Sequence, residues 1–134
     1  VKKGAFFVGN DIETIFPYKD KLFMGGMNGM YVYSITDPLS PKKEAAVTHF
    51  RACDPVVSND SVSYVTLRSF GTTCGNTRSV LNVYDVKNLG AVRLVTTVDM
   101  KSPYGLGIKQ KALYVCEGTY GLAVFDLNDP NHCF

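Results

Sequence analysis

The chain has 134 residues, one domain's worth, with 46% apolar and 19% charged residues and no low-complexity tract, so a packed fold is expected rather than disorder. The formal net charge is only +2, and Lys and Arg are scattered, with Val1–Lys3 and Lys42–Lys43 the densest spots. That excludes the clustered basic face of a nucleic-acid binder, and no apolar run approaches the roughly 18 residues that span a membrane.

The chain begins at Val1 with neither a Met nor a signal sequence, which reads as a processed or excised piece. Helical periodicity is scarce, and strand patterns recur instead. After KGAFFVG, the stretch TIFPYKDKLFMGG places two short apolar runs around Tyr18–Lys21. YVYSI then alternates, with the β-branched and aromatic content of pleated, half-buried surfaces. TDPLSPKK breaks the pattern: Asp37 can fold its carboxylate back onto the backbone and Pro38 presets a turn. EAAVTHF is another extended run.

The same order then repeats. Ile15 to Val56, Phe23 to Tyr64 and Tyr84 to Phe125 are each 41 residues apart. The irregularity lies between Tyr64 and Tyr84, where RSFGTTCGNTRS inserts about ten residues. Thr36-Asp37-Pro38, Lys87-Asn88-Leu89 and Asn128-Asp129-Pro130 fall at one place in the unit. Units of this length with four short strands predict an all-β fold of β-propeller blades. A lone four-stranded sheet cannot bury both faces, so blades must stack face to face around an axis. The predicted units are 9–50, 51–100 and 101–134, the last stopping after its third strand, all within one partial propeller domain over 1–134. Residues 1–8 read as an outer strand of a preceding or closing blade. Three blades are too few for a ring. Either two copies complete a six-bladed homodimer, or the remaining blades belong to a longer chain.

VYSITDP, VYDVKN and VFDLNDP, with YGLGIKQKALYVCEGTYGLAVFDLNDP, resemble the LVIVD-repeat proteins, over almost the whole chain from about Gly9. The middle unit departs from the pattern, with Asn88-Leu89-Gly90 where the others carry Asp-Pro. The resemblance implies a β-propeller protein found mainly in bacteria and often exported or surface-associated. It implies no settled activity.

Blade topology puts the entry to each first strand and the connection between strands two and three on one face. Glu13, Asp54 and Tyr104 align just before the first strands and should ring the axis. Asn10, Asp11 and Arg51 lie beside them, and Arg68, Arg78, Glu117 and Tyr120 come from neighbouring loops. A mouth of mixed acids, Arg and Tyr suits a small polar ligand or a partner protein's loop; equally, such groups solvate a rim and pair with one another. Cys53 and Cys74 fall on this same face, and a disulfide between them would pin the inserted loop, pointing to export; the alternative is two thiols in a reducing cytosol. Cys116 ends a strand and is expected to be small and buried, and Cys133 to be free.

Catalytic constellations are poor. His49, in a fourth strand, and His132, near the end, are not placed as bases at the axis. No G-x-S-x-G, P-loop or EF-hand loop is present, no CxxC pair supports zinc, and no cofactor is implied. GGMNG joins two strands and reads as a hairpin. The function expected is a non-catalytic binding module at the cell surface or outside it. Two alternatives stay open: a purely structural unit of a larger propeller, and a hydrolase using Glu13 and Asp54 as axial acids or cation ligands.

Overall fold

A computed structural model describes residues 1–49, 52–53, 55–69 and 78–128. The chain is all-β. Among the described residues eleven strands form three antiparallel sheets, each strand paired with its sequence neighbour. The first sheet is β1 (Ile12–Tyr18), β2 (Lys21–Gly26), β3 (Gly29–Ser34) and β4 (Lys42–Thr48). The second is β5 (Val56–Ser58), β6 (Val62–Leu67), β7 (Val80–Asp85) and β8 (Arg93–Asp99). The third is β9 (Leu106–Lys109), β10 (Ala112–Cys116) and β11 (Leu122–Asp126). The inserted RSFGTTCGNTRS stretch falls between β6 and β7, as expected, and its residues 70–77 lie outside the described ones.

Short polar turns reverse the chain. Lys19 and Gln110 adopt positive φ, 52° and 54°, in the two-residue loops after β1 and β9, matching the strand twist. In the longer loop after β5 the Asn59 carboxamide oxygen accepts from the Ser61 and Val62 amides at 2.9 and 2.8 Å. The repeated acid at the end of the third strand has a local task. Asp85 accepts from the Lys87 amide at 3.0 Å and Asp126 from the Asn128 amide at 2.9 Å, while Ser34 does the same for Thr36 in the first unit. Asp37 accepts from the Leu39 amide at 3.0 Å, the back-folding its position suggested.

The repeat period is a register. Phe23 lies opposite Phe16 and Val32, Tyr64 opposite Val57 and Val83, and Tyr114 opposite Gly107 and Val124. β4 and β8 are each irregular at one place, opposite Val32/Tyr33 and Val83/Tyr84. Successive side chains point to opposite faces of a strand, and each sheet spends those faces on its neighbours. Phe23, Val32 and Ala45 of the first sheet pack with Val56, Val65 and Val80 of the second. Tyr64, Leu81 and Val83, on the other face of the second sheet, pack with Leu113 and Val115 of the third. The first strands lie together, β5 contacting β1 on one side and β9 on the other.

Among the described residues, 1–8 pair with no strand; they lie across the first sheet, with the Phe6 ring 5.5 Å from that of Tyr33. One expectation is corrected: Cys116 is exposed. Its counterpart Thr66 is buried by the third sheet, but no described sheet covers the third in turn.

Candidate functional site

Three of the expected residues, Glu13, Arg68 and Tyr104, meet where the three first strands begin. Cys53 and Arg68 exchange both backbone hydrogen bonds, N to O at 3.1 and 3.0 Å, prolonging the β5–β6 ladder beyond the strands. This holds Arg68 beside the entry to the second sheet. The third sheet is tied to it by the buried Thr66 hydroxyl, which donates to the Tyr104 carbonyl at 2.9 Å. Tyr104 is further fixed by its amide, which donates to the Cys116 carbonyl at 2.8 Å. Its ring therefore stands under the Arg68 guanidinium, whose carbon lies 4.2 Å from the ring centroid.

A cavity of about 130 Å³ opens at this pair, bordered by Glu13, Cys53, Pro55, Arg68, Pro103, Tyr104 and Gly105. It draws on all three sheets. Among the described residues Arg68 has no carboxylate partner and Glu13 no ion pair, so both keep hydrogen-bonding capacity for a ligand. Arg68 offers a planar fork of donors and Glu13 two acceptor oxygens. Glu13 sits inside β1 rather than just before it.

The other expected residues are placed differently. Glu117 is a brace: its Oε1 accepts from the Lys101 amide at 2.7 Å and the Ser102 amide at 3.4 Å, closing the chain entering the third sheet. Tyr120 lies under Lys101, whose Nζ is 4.9 Å from the ring centroid. Asp11, at φ 47°, borders a separate cavity of about 390 Å³ with Asn10, Phe7 and the β2–β3 turn. Arg78 pairs with Asp99. Arg51, Asp54, Cys74, Cys133 and His132 lie outside the described residues, so the Cys53–Cys74 pair is not described. His49 follows β4 and donates its amide to the Asn28 carbonyl at 3.1 Å. Among the described residues no three of His, Cys, Asp and Glu gather as metal ligands, and no helix is long and apolar enough to cross a membrane.

A larger cleft, which sequence reasoning missed, lies at the opposite end of the second and third sheets. It measures about 650 Å³ and is bordered by Asn59, Asp60, Tyr64, Asp85, Arg93 and Leu127 among others. Both of its carboxylates are ion-paired. Asp85 accepts from Arg93 at 3.0 Å and Asp60 from Lys19 at 2.6 Å. The Lys87 amide, with Arg93, holds the Asp85 carboxyl below the usual carboxylate range. Nearby, Glu44 and Asp20 take the Lys21 ammonium at 2.9 and 3.1 Å and raise its pKa, the Glu44 hydrogen bond contributing most. The gathering of these charges around a cleft depends on the stacking of the sheets, which no local sequence pattern signals.

No family model and no curated protein matches the chain. Among solved structures it is similar to "KlHsv2 with loop 6CD replaced by a Gly-Ser linker", a propeller-like protein, with a TM-score of 0.59 and 16% identity. The match covers 91% of this chain and 37% of that one, so the chain spans little more than a third of the structure it resembles. At this identity the likeness concerns the fold alone.

Proposed function

We propose that the three sheets are blades of a β-propeller and that the mouth formed by their first strands is a binding face for a polar ligand or a partner's loop. The observation that carries this reading is the Arg68–Tyr104 pair, held by the Cys53–Arg68 bridge and the Thr66 hydroxyl over a cavity that also borders Glu13. The face-to-face packing of sheets in one register and the propeller-like neighbour support the blade assignment. The LVIVD-repeat kinship, an exported or surface location and a Cys53–Cys74 disulfide belong to the same proposal. The position of Cys53 beside Arg68, close to where the inserted loop leaves β6, favours that disulfide.

The ligand class follows from the donors. A carboxylate matches the Arg68 fork, and a hydroxyl or ammonium on the same molecule reaches Glu13. Titrating isotope-labelled protein with succinate and with a short acidic peptide, followed by amide chemical shifts, tests this. Shifts should concentrate at Arg68, Tyr104 and Gly105, and Arg68→Gln should weaken binding at least about tenfold, the loss of a charge-assisted hydrogen bond. Reductant should broaden the same signals by releasing the inserted loop. Shifts scattered over the surface, or indifferent to Arg68→Gln, would sink the reading.

A further inference from the structure

The three first strands also border a cavity at the ends where they finish, away from the mouth. It measures about 340 Å³ and is bordered by Phe16, Tyr18, Ser58, Asn59, Ile108 and Gln110. That size falls within the roughly 300–1,000 Å³ of small-ligand pockets. Its apolar walls come from faces that pack on one another inside the stack. Phe16 and Tyr18 pack against the cluster between the first and second sheets, and Phe16 and Ile108 against the cluster between the second and third. Val57 and Gly107 hold the register position of Phe16 in the other two sheets, so the aromatic wall belongs to the first sheet alone.

The polar groups at this cavity are of one kind. The Ser58 hydroxyl is buried and engaged, 2.7 Å from that of Ser63 and 3.1 and 3.2 Å from the Asn59 and Val62 carbonyls. The Asn59 Oδ1 accepts from the Ser61 and Val62 amides, which fixes the side chain. Among the described residues its NH₂ group has no acceptor, and the Gln110 carboxamide, in the turn after β9, has no hydrogen bond. Among the described residues no charged side chain borders the cavity, whereas the mouth, the larger cleft and the cavity beside Asp11 each border a carboxylate. Lys19, whose ammonium lies 5.5 Å from the Tyr18 ring centroid, is paired with Asp60 at 2.6 Å.

We propose that this cavity binds a neutral sugar ring. A pyranose presents apolar C–H faces that seat on aromatic rings, here Phe16 and Tyr18. Its rim of hydroxyls, each able to donate and accept, matches two carboxamides. A charged ligand would find no counter-ion at the walls, and a wholly apolar one would leave both carboxamides unpaired. The proposal rests on the placement of the first strands and not on the mouth, whose expected ligand is anionic.

Titrating isotope-labelled protein with the methyl pyranosides of glucose, galactose, mannose and N-acetylglucosamine, into tens of millimolar, reads the result in amide shifts. At least one sugar should move Asn59, Ile108 and Gln110 together and to saturation, and succinate should not. Two variants spare the fold. Gln110→Gly suits the positive φ of 54° and removes the carboxamide. Asn59→Asp keeps the oxygen that the Ser61 and Val62 amides need and removes the NH₂ donor. Each should weaken sugar binding about fivefold, as the loss of one hydrogen bond does. Tyr18→Leu should weaken it by a similar factor, through the lost ring face. No saturable shift with any of these sugars, shifts indifferent to both Gln110→Gly and Asn59→Asp, or tighter binding of adenosine than of every sugar would each overturn the proposal.

Discussion

Single residues in this chain serve mostly as turn locks, and the acid that ends β7 and β11 is the clearest case. Asp85 accepts from the Lys87 amide and from Arg93, which depress its pKa. A depressed folded pKa adds stability above the ordinary carboxylate value, and that stability disappears as pH falls through the folded pKa. Asp85→Asn should therefore lower the melting temperature at neutral pH and match the wild type in acid below the carboxylate range. A gap between the two that persists in acid would show that lost packing, not charge, explains the effect. At this scale the sequence was legible where chemistry is local: the turn role of Asp37 follows from its own backbone. Glu117 was not legible, because an acid on a loop gives no sign that two amides 15 and 16 residues earlier will claim it.

Elements owe their order to a register that spacing alone revealed. The 41-residue separations of Ile15–Val56, Phe23–Tyr64 and Tyr84–Phe125 are the ladder positions of three equivalent sheets. An apolar strand inside a stacked sheet is expected to be covered on both faces. β3 and β7 agree, whereas β11 is bare on one face. No sequence pattern distinguishes the two, since coverage depends on a neighbouring sheet; the exposure of Cys116 has the same origin. Because the second sheet contributes to both apolar clusters, the three sheets should unfold as one unit. Leu113→Ala, fully buried between the second and third sheets, should cost about 2–5 kcal/mol and shift a single transition downward. Two separated transitions in calorimetry would contradict that cooperativity.

The whole molecule is a stack with two unlike ends, one set of loops forming a mouth and the other a cleft of paired charges. The mouth was legible in part. Glu13, Arg68 and Tyr104 were singled out from topology and meet at one cavity, while Asp11, Glu117 and Arg78 go to other partners. Topology assigns a face; only side-chain reach decides which residues on it touch. The central claim is that face-to-face stacking of these sheets brings their first strands to one axis and creates that mouth. A crystal structure of the chain tests this most directly. The account predicts β1, β5 and β9 side by side around the axis, Tyr64 packed on Leu113, and Arg68 over the Tyr104 ring. Sheets paired edge to edge or closed as a sandwich, with Arg68 and Tyr104 apart, would contradict it.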